Sequence, residues 1–440
     1  MRLYSTQGHS PPVSFREGVL RGMPPDGGLY MPAEIPSLKK AFFHRLPGME
    51  LREIALEVSR CLLGESLPEA ALKAIVEKAV TFDAPLVQLD GHLFVLELFH
   101  GPTLAFKDFA ARFMAALLDY YARTEGGTFW VLVATSGDTG SAVAAGFRNT
   151  PGVRVVVLYP SGKVSPLQER QLTTPGGNIT AVEVQGSFDD CQRLVKQAFA
   201  DEELARRLRL TSANSINIAR LIPQTFYYFR ALAQLPNAGD PVVISVPSGN
   251  FGNLTAGLIA KRMGLPVHRF VAATNINDVV PRYLRTGEFC PRPSSPTLSN
   301  AMDVGNPGNF ARMLALYHHS REALCRDVAG HAFTDEETLQ AIAGVYRRYG
   351  YVLDPHGAVG YLGLQRYRQE SDEPVRGIFL ETAHPAKFAD TVEQAIGCPV
   401  KLPPALQEVL EKPKQAIPIP GEFSAFKRVL WELWERNLTA

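Results

Sequence analysis

From Leu93 onward, short apolar runs alternate with amphipathic stretches of ten residues or so, and that rhythm restricts the fold more than any other feature. "LFVLEL" precedes a segment whose apolar positions Phe109, Phe113, Leu117 and Tyr120 repeat at about 3.6 residues, as on one face of a helix. "FWVLVA" leads through "TSGDTGSA" into "VAAGFR"; "VRVVVLY" leads into "SPLQERQL", and "ITAVEV" into "FDDCQRLVKQAF". Later, "PVVISVP" runs through "SGNFGN" into "LTAGLIAKRM", and "HRFVAAT" follows. Strands that are apolar at nearly every position must be covered on both faces, which predicts mostly parallel sheets flanked by helices, an α/β fold.

At 440 residues the chain exceeds what one hydrophobic core organises. Residues 1–90, rich in turns and short helices, are expected to form an N-terminal domain. Residues 91–225 are expected to form a smaller α/β domain and 226–440 a larger one. "DAPLVQLDGHLFVLEL" predicts two strands around an Asp-Gly turn. The Pro/Gly-rich stretch 275–309 reads as a lid or a surface excursion. The tail "SAFKRVLWELWERN" predicts an amphipathic helix with Phe426, Leu430, Trp431 and Trp434 on one side, packed onto the body.

Lys and Arg total 45 against 44 for Asp and Glu, so nothing suggests a nucleic-acid or membrane surface. The five cysteines are scattered with no C-x-x-C pair, which suits reduced thiols and a cytoplasmic location and argues against structural zinc. The His318–His319 pair lacks the spacing of a metal site, and no metal is expected. A P-loop is excluded because Val157 stands five residues before Gly162 and Val164 replaces the Ser/Thr. G-x-G-x-x-G and G-x-S-x-G are missing as well.

Three small-residue loops remain. Ser248, Gly249, Asn250, Phe251, Gly252 and Asn253 end one strand and open a helix, where converging amides and the helix dipole favour an anion. Thr135, Ser136, Gly137, Asp138, Thr139 and Gly140 repeat that architecture, although Asp138 suits an ammonium or hydroxyl neighbour better than a phosphate. In "TSANSINIAR", Asn214 and Ser215 precede a helical run that carries Arg220, a combination able to receive a phosphate. Each loop taken alone also reads as an ordinary turn or helix cap. Lys107, in "ELFHGPTLAFKDFA", sits at a strand-to-helix junction just past a Gly-Pro turn. A lysine there, together with anion cradles, suits a pyridoxal phosphate enzyme in which the amine forms a Schiff base. Lys163 and Lys387 are the rival lysines.

"ELFHGPTLAFKDFA", "ATSGDTGSA", "SANSINIAR", "SVPSGNFGNLTAG", "SNAMDVGNP" and "TAHPAKF", with "YSTQG" and "PDGGLYMP" near the N-terminus, resemble the threonine synthase family, bacterial and fungal type. The likeness runs from Tyr4 to about Phe388. It implies the tryptophan synthase β-like fold (fold type II), the cofactor pyridoxal 5'-phosphate, and conversion of O-phospho-L-homoserine and water to L-threonine and phosphate. By motif match, Lys107 would anchor the cofactor and Ser248 to Asn253 would hold its phosphate. Thr382 would lie near the pyridine nitrogen. Thr135, Ser136, Gly137, Asp138 and Thr139 would line the substrate carboxylate side, and Asn214, Ser215 and Arg220 would receive the substrate phosphate. That type carries no N-terminal regulatory region, so control by one is not expected, and a monomer or homodimer is implied. A phospho-lyase releasing 2-oxobutyrate, a serine or threonine dehydratase of the same fold, and a silent ligand-binding protein are the competing readings.

Overall fold

The structure, a computed structural model, describes residues 1–135, 137–236, 239–371 and 373–438. Its strands are β1 (Arg2–Ser5), β2 (Val13–Ser14), β3 (Tyr30–Pro32), β4 (Leu86–Asp90), β5 (Leu93–Glu97), β6 (Phe129–Ala134) and β7 (Val153–Pro160). They continue with β8 (Ile179–Gln185), β9 (Arg209–Ser212), β10 (Val242–Pro247), β11 (Arg269–Thr274), β12 (Val328–Ala332), β13 (Arg376–Glu381) and β14 (Ile417–Pro420).

Three sheets result. β2-β1-β3 is a small antiparallel sheet, β12-β11-β10-β13-β5-β4 is the larger mixed sheet, and β14-β8-β7-β6-β9 is the smaller one. Every pair in the five-stranded sheet is parallel. In the six-stranded sheet only β4, the edge partner of β5, runs antiparallel, through the expected Asp90-Gly91 turn.

Double coverage explains the apolar runs. In β6, Phe129, Val131 and Val133 enter one hydrophobic cluster while Trp130, Leu132 and Ala134 enter another. In β5, Phe94 and Leu96 face one cluster, and Leu93 and Val95 the other. With alternate side chains buried on opposite faces, no position is left for a polar residue.

The sheets cut across the contiguous boundaries expected from the sequence. β5, placed with residues 91–225, is a strand of the larger sheet, where it pairs with β13. β14, placed with residues 226–440, is the edge of the smaller sheet, paired with β8. The helix Phe423–Leu438 follows β14 and buries Phe426 and Leu430 in that lobe's cluster, with Trp431 and Trp434 packed against it. Local patterning identified β5 and the tail helix but not β14; which sheet each joins is a tertiary choice.

Residues 275–309 carry a helix (Val279–Thr286) and a single turn (Asn300–Met302). The stretch is fastened by Asp303, which accepts from Asn275 Nδ2 at 2.9 Å, Asn277 Nδ2 at 3.2 Å and Thr297 Oγ1 at 2.7 Å.

Candidate active site

Lys107 is the first residue of a 19-residue helix, Lys107–Glu125. The loop before it is held rigidly. Asp108 turns back to accept from the Thr103 amide at 2.9 Å and the Thr103 hydroxyl at 2.6 Å, and Leu104 takes a left-handed φ of 57°. That loop is pinned to the end of β13, with the Phe106 amide donating to the Thr382 carbonyl and the His384 amide to the Leu104 carbonyl. The Thr382 hydroxyl makes no hydrogen bond among the described residues, so it is free to meet a ring nitrogen.

The Lys107 amine lies 3.9 Å from Asp138 Oδ2. Asp138 opens the helix Asp138–Phe147, and its other oxygen accepts from Lys387 Nζ at 2.6 Å and Gln168 Nε2 at 3.0 Å. Lys387 also donates to the Thr103 carbonyl at 3.0 Å and is wholly buried at its side chain. Burial pushes the pKa of Lys107 down; Asp138 opposes that, while Lys387 and Arg220 reinforce it. Burial alone would raise the Asp138 carboxyl, but Lys387, then Lys107, and hydrogen bonds from Lys387 and Gln168 hold it well below the usual carboxylate range. Sequence reasoning set Lys387 aside as a rival to Lys107; the structure instead puts both lysines on one carboxylate.

Contacts join the remaining loops to this pair. Asn214 Nδ2 donates to the Ala134 carbonyl at 2.9 Å, at the end of β6. Ser215 Oγ accepts from Asn250 Nδ2 at 2.7 Å, so the first and third cradles touch. Asn250 Oδ1 accepts in turn from the Gly308 amide at 2.6 Å. Arg220 is buried, with Nη1 on the Ala213 carbonyl at 2.5 Å and Nε without a partner among the described residues; burial lowers its pKa to about 10.

The turn after β10 feeds the helix Gly252–Arg262. Phe251 caps it at φ 60°, a left-handed value that a bulky residue adopts only under surrounding constraint. Gly249 is required by packing: a Cβ there would meet Met302 Cα at 2.7 Å. Among the described residues, the amides from Gly249 to Asn253 donate to no backbone carbonyl outside the helix, leaving them for an anion.

Several candidate residues are engaged by the protein itself. Ser248 donates its hydroxyl to the Val246 carbonyl and its amide to the Ala273 carbonyl, so neither proton faces the turn's mouth. Thr135 Oγ1 accepts from the Gly137 and Gly140 amides, shaping the turn from behind. Asn253 Oδ1 accepts from Tyr227 at 2.6 Å and Tyr228 at 2.7 Å, while its Nδ2 has no partner among the described residues. Gly137 caps the helix at φ 154°, and Thr139 follows Asp138 in its first turn. Ser136 lies outside the described residues.

Two supporting groups gave no signal in the sequence. Arg312 is fully buried with no carboxylate beside it. Its guanidinium binds the carbonyls of Tyr30, Ser215 and Ile216 and the Asn309 side chain, and burial lowers its pKa to about 9. It thereby ties the loop that carries Ser215 to β3 of the N-terminal sheet. Asp354 binds the His356 ring at 2.6 Å and the Ala383 amide at 3.3 Å, and His356 Nε2 accepts from the Ala301 amide at 3.2 Å. The residue after Thr382 and the turn packed on Gly249 are thus held by one network.

Partnerless buried donors on Arg220 and Asn253, free amides at a helix start and an amine with a lowered pKa fit a group that carries a phosphate and a reactive carbonyl.

The family described as "Pyridoxal-phosphate dependent enzyme" matches residues 80–380, "Threonine synthase N terminus" matches 2–80, and "Threonine synthase, C-terminal" matches 357–430. The threonine synthase of Escherichia coli (strain K12) is 44% identical over 431 residues, covering 98% of this chain and 99% of that protein. The crystal structure of the Escherichia coli enzyme superposes with a TM-score of 0.90, covering 98% of this chain and all of that one. The PLP-bound threonine synthase of Brucella melitensis, 36% identical, gives 0.91 with 98% of both chains covered.

Proposed function

The chain belongs to the threonine synthase family of pyridoxal-phosphate dependent enzymes, and from that premise we propose how its own residues convert O-phospho-L-homoserine and water to L-threonine and phosphate. Lys107 would anchor the cofactor, the amides from Gly249 to Gly252 would hold its phosphate, and the Thr382 hydroxyl would serve its ring nitrogen. When bound, the cofactor supplies an electron sink for charge developing beside the substrate's α-carbon. The neutral Lys107 amine carries protons to and from the α- and β-carbons. Gly137, Asp138 and Thr139 line the carboxylate side, with Ser136 in the same turn. Asn214, Ser215 and Arg220 hold the substrate phosphate and stabilise the charge it takes on as it leaves.

Arg220 carries the reading. A guanidinium buried to 3% exposure, with a partnerless Nε, sits on the loop whose Ser215 is bonded to Asn250 of the cofactor-phosphate turn. A serine or threonine substrate would bring no second phosphate to it, so the dehydratase reading leaves this donor unexplained. All the residues named come from one chain, which a monomer or a homodimer would satisfy alike. No helix among the described residues is long and apolar enough to cross a membrane, in keeping with the cytoplasmic site we assign. Incubating the purified protein with O-phospho-L-homoserine should release phosphate and threonine in equal amounts; dominant 2-oxobutyrate would reject the assignment.

A further inference from the structure

Two ammonium groups and one carboxylate share a buried space at the end of β6. Both charged lysines beside a single Asp138 would leave a net positive charge out of water, so the cluster favours loss of one proton. Geometry decides which lysine gives it up. Lys387 has two acceptors at hydrogen-bond distance, Asp138 Oδ1 at 2.6 Å and the Thr103 carbonyl at 3.0 Å, and its side chain has no exposed surface. Lys387 therefore makes the closer ion pair with Asp138 and is held there by both contacts. Lys107 stands 3.9 Å from the other oxygen, beyond a hydrogen bond, and its side chain keeps 18% exposure through which a proton can leave to water.

We propose that Lys387 is a positioning residue of the active site: it occupies and orients Asp138 so that the carboxylate stays ionised beside Lys107 without capturing it, leaving the Lys107 amine neutral.

Two further features support this arrangement. Gln168 also donates to Asp138 Oδ1, so the oxygen that faces away from Lys107 takes both donors and the carboxylate has one fixed orientation. The Thr103 carbonyl that receives Lys387 belongs to the residue whose amide and hydroxyl hold Asp108, the neighbour of Lys107. Lys387 therefore braces the loop that aims Lys107 as well as the carboxylate opposite it. The charged groups facing the Lys107 amine are Asp138 from its helix, Lys387 from the turn Pro385–Phe388 and Arg220 from the helix Ile218–Leu221. Asp108, on the same helix as Lys107, is turned back to Thr103. Without Lys387, Asp138 would be the nearest counter-ion for Lys107 and would favour its charged form. The amine would then need a higher pH to act.

The inference rests on Lys107 being the cofactor's lysine, and the experiment separates the two. Visible absorbance of the holoenzyme is titrated with pH for the parent, Lys387→Met and Lys107→Ala, alongside the pH profile of kcat/KM. In Lys387→Met the absorbance transition and the acid limb of the profile should both move up by about one pH unit, a tenfold gain in proton affinity. An unmoved transition, or one that moves down, overturns the role of Lys387. A visible band unchanged from the parent's in Lys107→Ala overturns the assignment of Lys107 instead. Should Lys387→Met fail to fold because it leaves Asp138 buried and unpaired, Lys387→Gln, which keeps a donor but carries no charge, replaces it. There too the transition must rise, and an unmoved one overturns the proposal.

Discussion

The turns after β10 and β6 have the same outline, a strand ending in small residues that open a helix, yet they work by different physics. The β10 turn presents backbone amides and neutral side chains, with Phe251 held in a left-handed conformation and Gly249 packed against Met302. The β6 turn presents Asp138, paired with Lys387 and faced by Lys107. Peptide dipoles do not titrate, so an anion held by the first turn would be gripped equally at any working pH. The second is built from charges whose balance sets the state of the amine, and it is there that pH can change the chemistry.

The largest effect expected is at the charged turn. Lys107→Ala should shift the cofactor's visible band to that of the unlinked aldehyde and cut turnover by roughly 10³-fold or more, the contribution of a positioned proton-transfer group. Steady-state assays and a spectrum check this, and normal turnover would end the comparison as drawn. Next comes the anion side: Arg220→Ala should lower kcat/KM for O-phospho-L-homoserine by about 10²–10³-fold, as removal of a preorganised charge stabiliser does. Bound cofactor, read from the spectrum, should change little. At the neutral turn, Gly249→Ala should cost about 1–3 kcal/mol of stability, because the new methyl meets backbone at Met302. Cofactor affinity should fall equally at pH 6.5 and 8.5; a strongly pH-dependent loss would show that this turn is not electrostatically neutral.

The smallest effect sharpens the contrast at a third place. Burial and then the nearby Asp354 push the Glu381 carboxyl well above its ordinary value, while Glu381 Oε1 accepts from the Asp354 amide. A carboxyl raised in the folded state binds its proton more tightly there than in the unfolded chain. Its contribution is present at acid pH and declines as pH climbs from the unfolded value towards the folded one. Glu381→Gln keeps the shape and the acceptor, so relative to the parent it should gain thermal stability at pH 8 over pH 5. Parallel melts at the two pH values check the sign.

Much of this was legible in the sequence because local rules governed it. Apolar runs marked β5 to β8, β10 and β11 since those strands are largely buried, and the Gly-Pro turn before Lys107 marked a lysine placed with care. What escaped depended on partners distant in sequence. Lys387 reads as one more lysine until Asp138, 249 positions earlier, is seen beside it. Arg312 lies on a short helix with no motif, yet it binds carbonyls from β3 and from the loop carrying Ser215. Ser248 and Thr135 matched a family pattern, while their hydroxyls serve their own turns. The exchange of β5 and β14 between lobes had no local signature, because strand pattern reports burial and not the identity of the neighbour.

That exchange bears on how the molecule comes to exist. β8 borders β7 on one side, and its other edge waits for β14, so Gln185 meets Pro420 across about half of the chain's length. During synthesis the lobe that carries Asp138 therefore has an open strand edge until nearly the last residues have emerged. An unpaired edge of that kind is a template for pairing with other chains, and closing so long a loop is slow. The final stretch, remote from the chemistry, is then the step that converts a nascent, aggregation-prone lobe into a finished one, and truncations there should be lost to misassembly before catalysis is ever at issue.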